Sequence, residues 1–249
     1  KMGLTIPEED DLMYFNSCAS GFWLTKLPYM SELDFFHIDE RSPASRRRIM
    51  KFYKECVRRQ LYINGSDRIH LSKNPTYCGR VESLIETFPD ARFVVLYRNP
   101  YETIPSLLKL LNVGWKLQGN LSRERVRESN EVMTGLSYET YLHPREVLAR
   151  HPETPHAIID YRRLTTDPKG CIEDVYRDLG LDITPAYAAF LEAEAARTRR
   201  HETEHRYSLA EFGLDDQDIR RRLAPLFEEF QWDEHIPAKP EDDKEATHA

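Results

Sequence analysis

A chain of 249 residues, 40% hydrophobic and 31% charged, is long enough to bury a sizeable core and fits one α/β domain. No apolar run approaches the roughly 20 residues that span a bilayer, so no integral membrane segment is expected. A formal charge of -7 argues against a general nucleic-acid binder, because such proteins carry a basic excess. Four cysteines, Cys18, Cys56, Cys78 and Cys171, lie far apart without metal-type spacing, which predicts reduced thiols, a cytoplasmic setting and no metal. The triplets Asn64-Gly65-Ser66 and Asn120-Leu121-Ser122 fit a glycosylation pattern that is common by chance.

In chain order, the acidic run Glu8 to Asp11 follows a proline and reads as a helix N-terminus. Pro43 to Leu61 forms an amphipathic pattern through Ile49, Phe52, Tyr53 and Cys56, closed by an Asn64-Gly65 turn. A short strand is expected at Ile69 to Ser72, then a helix with Val81, Leu84, Ile85 and Phe88 on one face. The run Phe93 to Tyr97 reads as a strand buried on both faces, completing a right-handed βαβ unit with the strand before it. Residues 112–150 read as mostly helical, polar and long-looped. Ala157 to Tyr161 is another strand, and Asp167 caps a helix from Pro168 with Ile172, Val175, Tyr176 and Leu179 at helical spacing, ended by Gly180. An Ala-rich helix runs from Thr184-Pro185 to about Arg199. After a His/Arg-rich stretch and a turn at Tyr207 to Leu214, Ile219, Leu223, Leu226, Phe227 and Phe230 form an apolar stripe. These elements predict a parallel sheet flanked by helices over residues 1–236, with a disordered polar tail at 237–249 and no internal repeat.

Chemistry concentrates where the Phe93 to Tyr97 strand ends. Arg98 falls at the carboxyl edge, where open parallel sheets bind ligands, and its fork matches phosphate or sulfate geometry. Asn99 can cap the next helix, Pro100 fits its first position and Glu102 its third, so free backbone N–H groups gather beside the arginine. The run LSKNPTYCGRVESLIETFPDARFVVLYRNPYETIPS resembles the nucleotide-binding core of sulfotransferases that use 3′-phosphoadenosine 5′-phosphosulfate (PAPS), most closely their bacterial-type branch. The resemblance implies that Arg98 and Ser106 hold the donor's 3′-phosphate. Two further stretches resemble the family in the same order. HAIIDYRRLTTDPKGCIEDVYRDLGLDITP implies an adenine contact for Tyr161, and RRHETEHRYSLAEFGLDDQDIRRRLAPLFEEF implies phosphate contacts from Arg199, Arg200, His201, His205, Arg206 and Tyr207.

The family's early strand, its Gly/Ser/Thr-rich loop for the 5′-phosphosulfate and the following helix have no counterpart in these residues, and a fragment is the expected reason. Lys73, matching the lysine of the family's Lys-Ser/Asn-Pro motif, is expected near the leaving phosphate, because sulfuryl transfer rests on in-line positioning and cationic stabilisation. Where some relatives place a histidine, this chain has Thr76-Tyr77-Cys78, so Glu9 and then His37 are the candidate bases for the acceptor. The expected activity is transfer of a sulfuryl group from PAPS to a hydroxyl or amine of a small-molecule or carbohydrate acceptor, leaving adenosine 3′,5′-bisphosphate. The alternatives are a non-catalytic nucleotide-binding homologue and a kinase-like phosphotransferase. The latter is disfavoured because neither G-x-x-x-x-G-K-[ST] nor a magnesium-binding strand end is evident.

Overall fold

Strand pairing is confined to two segments, β1 (Phe93–Tyr97) and β2 (His156–Asp160), in a computed structural model that describes residues 9–17, 19–117, 119, 121–198 and 208–232. They run parallel, with Phe93 opposite His156 and Tyr97 opposite Asp160. A parallel pair requires a long crossover. Here it is made by α3 (Pro100–Lys116) and α4 (Arg123–Arg150). The remaining helices are α1 (Pro43–Asn64), α2 (Val81–Thr87), α5 (Tyr161–Thr166), α6 (Pro168–Asp178), α7 (Pro185–Thr198), α8 (Asp216–Arg222) and α9 (Ala224–Phe230). Four short 3₁₀ helices accompany them among the described residues. The chain is thus an α/β protein, rich in helix around a small parallel sheet. None of its described helices is long and apolar enough to cross a membrane.

The main core lies where α3 meets α4 and the α8–α9 pair. Ile104, Leu108, Leu111 and Trp115 recur at helical spacing along α3 and are fully buried, facing Met133, Tyr138 and Tyr141 of α4 and Ile219, Leu223, Leu226 and Phe227. The Trp115 indole keeps its hydrogen bond inside this core by donating to the Leu24 carbonyl at 2.7 Å. A second cluster ties α1 to the N-terminal segment through Tyr14, Ile38, Met50, Tyr53 and Tyr77. Close approach decides one glycine there, since a Cβ on Gly79 would stand 2.2 Å from the Phe36 carbonyl oxygen. At Gly65, which ends α1 with φ 124°, a side chain would be strained.

Four expectations are corrected. The segment Ile69 to Ser72 is extended in pattern but is not a strand: no described strand pairs with it, and a strand exists only through its ladder. His70 and Ser72 turn inward to Asp10, while Ile69 and Leu71 are 74% and 92% exposed. The βαβ unit expected from that segment is therefore absent among the described residues, and the parallel pairing is between β1 and β2. Nor is β1 buried on both faces. Phe93 and Val95 pack on Val81, Val147 and Leu148, whereas α6 covers only the β2 part of the opposite face, at Ala157 and Ile159. Val94 and Leu96 are left 47% exposed. Residues 123–150, expected to be mostly helical but long-looped, form one continuous 28-residue helix, capped by Ser122 and running through Pro144. The second strand ends at Asp160, which makes Tyr161 the first residue of α5.

Candidate functional site

Two strands in register create the first corner of the site. Because Tyr97 stands opposite Asp160, the next residue on each strand, Arg98 and Tyr161, leaves the sheet side by side, and the guanidinium lies 5.0 Å from the Tyr161 ring centre. The backbone is fixed from behind: the Tyr141 hydroxyl donates to the Arg98 carbonyl at 2.7 Å, and the Tyr97 hydroxyl donates to the Tyr141 carbonyl at 2.7 Å. Burial pushes both phenols well above their ordinary range, which keeps them protonated as donors. Asn99 caps α3 as expected, its side chain accepting from the Tyr101 amide at 3.0 Å, with Pro100 at the first helical position. Arg98 donates from Nε and Nη2 to one oxygen of Glu102, Oε2, at 2.8 and 2.6 Å. Arg98 precedes the Asn99 cap, while Glu102 and the half-buried Ser106 stand four residues apart on one side of α3.

The second corner is organised by the acidic run 9–11, each member holding a different segment. Glu9 pairs with Lys73, whose side chain is 78% exposed. Asp10 accepts from the Tyr53 hydroxyl, from Ser72 at 2.8 Å and from His70 at 3.3 Å. Burial alone would raise the Asp10 pKa, but these bonds, led by His70, outweigh it and hold the carboxyl below its usual range. Asp11 is fully buried, accepting from Ser20 at 2.5 Å and Thr76 at 3.0 Å and standing 3.9 Å from the buried Arg80. Arg80 in turn lies between the Tyr14 and Tyr77 rings, at 5.2 and 4.7 Å. Lys73 is therefore presented from a tail whose neighbours on both sides are anchored to carboxylates.

His37 occupies a different place. Its Nε2 lies 2.6 Å from Glu139 of α4 and its Nδ1 3.1 Å from Asp34. Burial works against its charge, yet Glu139 and Asp34 prevail and raise its pKa, so the imidazolium is favoured over the free base. One helical turn along α4, His143 meets Asp39 at 2.9 Å, and Asp39 also accepts from the Glu82 and Ser83 amides at the start of α2. Among the described residues, no hydrogen bond or ion pair joins His37 to Lys73, Glu9 or Arg98.

The structure thus brings Arg98 to Tyr161 and Lys73 to Glu9. The cluster Arg199, Arg200, His201, His205, Arg206 and Tyr207 lies outside the described residues. Sequence reasoning missed Tyr141 and Glu139. Only the Glu139-x-x-x-His143 spacing, two polar residues one helical turn apart, carried a local signal.

Comparison with known proteins supplies the family. A family profile described as "Sulfotransferase family" matches residues 19–185. Proteins named omega-hydroxy-beta-dihydromenaquinone-9 sulfotransferase Stf3, from Mycobacterium bovis and Mycobacterium tuberculosis, are 22% identical over 241 residues, covering 95% of this chain. The chain spans 60% of the length of these relatives. Among solved structures, sulfotransferase STF9 from Mycobacterium avium superposes with a TM-score of 0.74 at 18% identity, covering 94% of this chain and 61% of that one, which shows the same fold. With two thirds of its length matched by the family profile and its α/β fold shared with a solved sulfotransferase, the chain belongs to the sulfotransferase family.

Proposed function

We propose that this chain carries the nucleotide-binding and leaving-group side of a PAPS-dependent sulfotransferase that delivers a sulfuryl group to an acceptor hydroxyl. The observation that carries the reading is Arg98, set at the carboxyl end of β1, backed by Tyr161 and beside the N-terminus of α3. The residues fit the donor's 3′-phosphate. The Arg98 Nη1 lies outside the pair with Glu102, and the half-buried Ser106 follows on α3 one turn after Glu102.

PAPS, when bound, supplies the sulfuryl group. Arg98 and Ser106 would hold its 3′-phosphate, and Tyr161 would fix the guanidinium plane and border the adenine. Lys73 would neutralise charge on the leaving phosphate, and Glu9 would hold Lys73 in place or take the acceptor's proton once that pair opens. His37, an imidazolium between two carboxylates, suits a structural ion pair better than a base. The mycobacterial relatives' named substrate bears a hydroxyl, which supports a hydroxyl acceptor here over an amine. The uncovered Val94 and Leu96 and the β1 edge that no described strand pairs support docking of one further strand and helix there, carrying the phosphosulfate cradle.

Titration calorimetry tests the reading. Adenosine 3′,5′-bisphosphate should bind more tightly than adenosine 5′-phosphate, and Arg98→Ala should abolish that preference. Equal affinity for the two nucleotides in the unaltered chain would overturn it.

A further inference from the structure

Arg98 precedes the Asn99 cap of α3, and Glu102 and then Ser106 follow on that helix. Ser106 stands about 6 Å further along the helix axis than Glu102. A phosphate that reaches from Arg98 to Ser106 therefore passes the turn that bears Glu102. In the structure that place is taken: Glu102 Oε2 receives both the Nε and Nη2 protons of Arg98, the side-on edge of the guanidinium that an incoming phosphate would use for a two-point bond. Both side chains are accessible, 37% for Arg98 and 44% for Glu102, so the pair can open without unpacking the core. The carboxylate also stands in the first turn of α3, where the helix dipole favours a negative charge.

Resting on the nucleotide-binding reading above, we infer that Glu102 is a built-in competitor for the 3′-phosphate. It satisfies Arg98 while the site is empty and must yield the side-on edge when nucleotide arrives. It thereby weakens binding and speeds departure of the bisphosphate product. Glu102 acts through Arg98 and is a positioning and affinity-setting residue, with no part in moving the sulfuryl group.

Calorimetry and stopped-flow dissociation on Glu102→Gln test this, since glutamine keeps the length and the acceptor oxygen and removes only the charge. Adenosine 3′,5′-bisphosphate should bind roughly three- to tenfold more tightly, the scale of one like charge at a half-exposed, screened site, with most of the change in the off-rate. The gain should shrink as salt is raised, while adenosine 5′-phosphate affinity stays unchanged. Unchanged or weaker bisphosphate binding in Glu102→Gln, with Arg98→Ala still erasing the 3′-phosphate preference, would overturn the competitor role and leave the nucleotide site standing. No 3′-phosphate preference in the unaltered chain would overturn both.

Discussion

The two corners of the site are built on opposite principles. At Arg98 the charge is half exposed, packed against Tyr161 and paired with one exchangeable partner in the first turn of α3. At Asp10 and Asp11 the charges are buried and tied into several bonds at once, and Asp11 and Arg80 have no access to solvent. An exposed ion pair contributes about 0 to 1 kcal/mol, while stripping one partner from a buried pair costs about 3 to 5 kcal/mol. The first corner can therefore change partners during function, whereas Asp10 and Asp11 can only hold segments in place. Lys73 sits on the boundary, exposed itself but carried by an anchored chain.

Substitutions can break this division, and the largest effect is expected in the buried corner. Asp11→Ala should lower unfolding stability by about 3 to 5 kcal/mol in urea titration, because Arg80 is left buried without its carboxylate. A loss below about 1 kcal/mol, the exposed-pair range, would erase the distinction between the corners. Next comes Lys73→Met, assayed in a form competent for turnover. Loss of one cation that stabilises the leaving group should reduce kcat by about 100- to 1,000-fold while bisphosphate affinity holds. Unchanged turnover at saturating donor would make Lys73 a surface residue that merely neutralises Glu9. Arg98→Ala should do the reverse, weakening bisphosphate binding by about 1.5 to 3 kcal/mol with little change in the unfolding midpoint.

The smallest effect is a pH dependence. The raised pKa of His37 means that its pairs with Asp34 and Glu139 contribute fully below pH 6.5, its ordinary value, and are lost as pH rises through the higher folded-state value. Its side chain is only 25% exposed but both carboxylates are 47% exposed, so the contribution should stay within about 1 kcal/mol. Asp10 has the opposite sign, since its depressed pKa contributes above 3.8 and is lost only as pH falls further. Comparing the unaltered chain with His37→Gln by urea titration at pH 5.5 and 8.5 should show a difference at the lower pH that fades at the higher. A difference that grows with pH would refute the imidazolium assignment.

Local patterns made much of the fold readable. The caps at Asn99 and Asp167 both operate, and the apolar spacing of α6 marks its buried face. The same reasoning failed where a partner decides the outcome. Ile69 to Ser72 has the composition of a strand but lacks a ladder, and the apolar alternation of β1 cannot reveal that one face stays open. In α4 the polar composition was read as helix broken by long loops, but Met133, Tyr138, Tyr141, Val147 and Leu148 bury enough surface to hold one helix through Pro144. The placement of Arg98 at a strand end and of Ser106 on the helix after it was legible because strand ends and caps are local. The Lys73–Glu9 and His37–Glu139 pairs were not, since their members lie 64 and 102 residues apart and no periodicity links them.

The parallel register of β1 and β2 has a consequence for how this sequence can diverge. Arg98 meets Tyr161 because both strands are five residues long and paired end to end from Phe93 with His156. Replacing a side chain within either strand leaves that meeting intact, whereas inserting or deleting one residue shifts every later position to the other face of its strand and carries its partner about 3.3 Å away. Change at this corner is thus confined to substitution, and variation in chain length is pushed out to the connections between the elements.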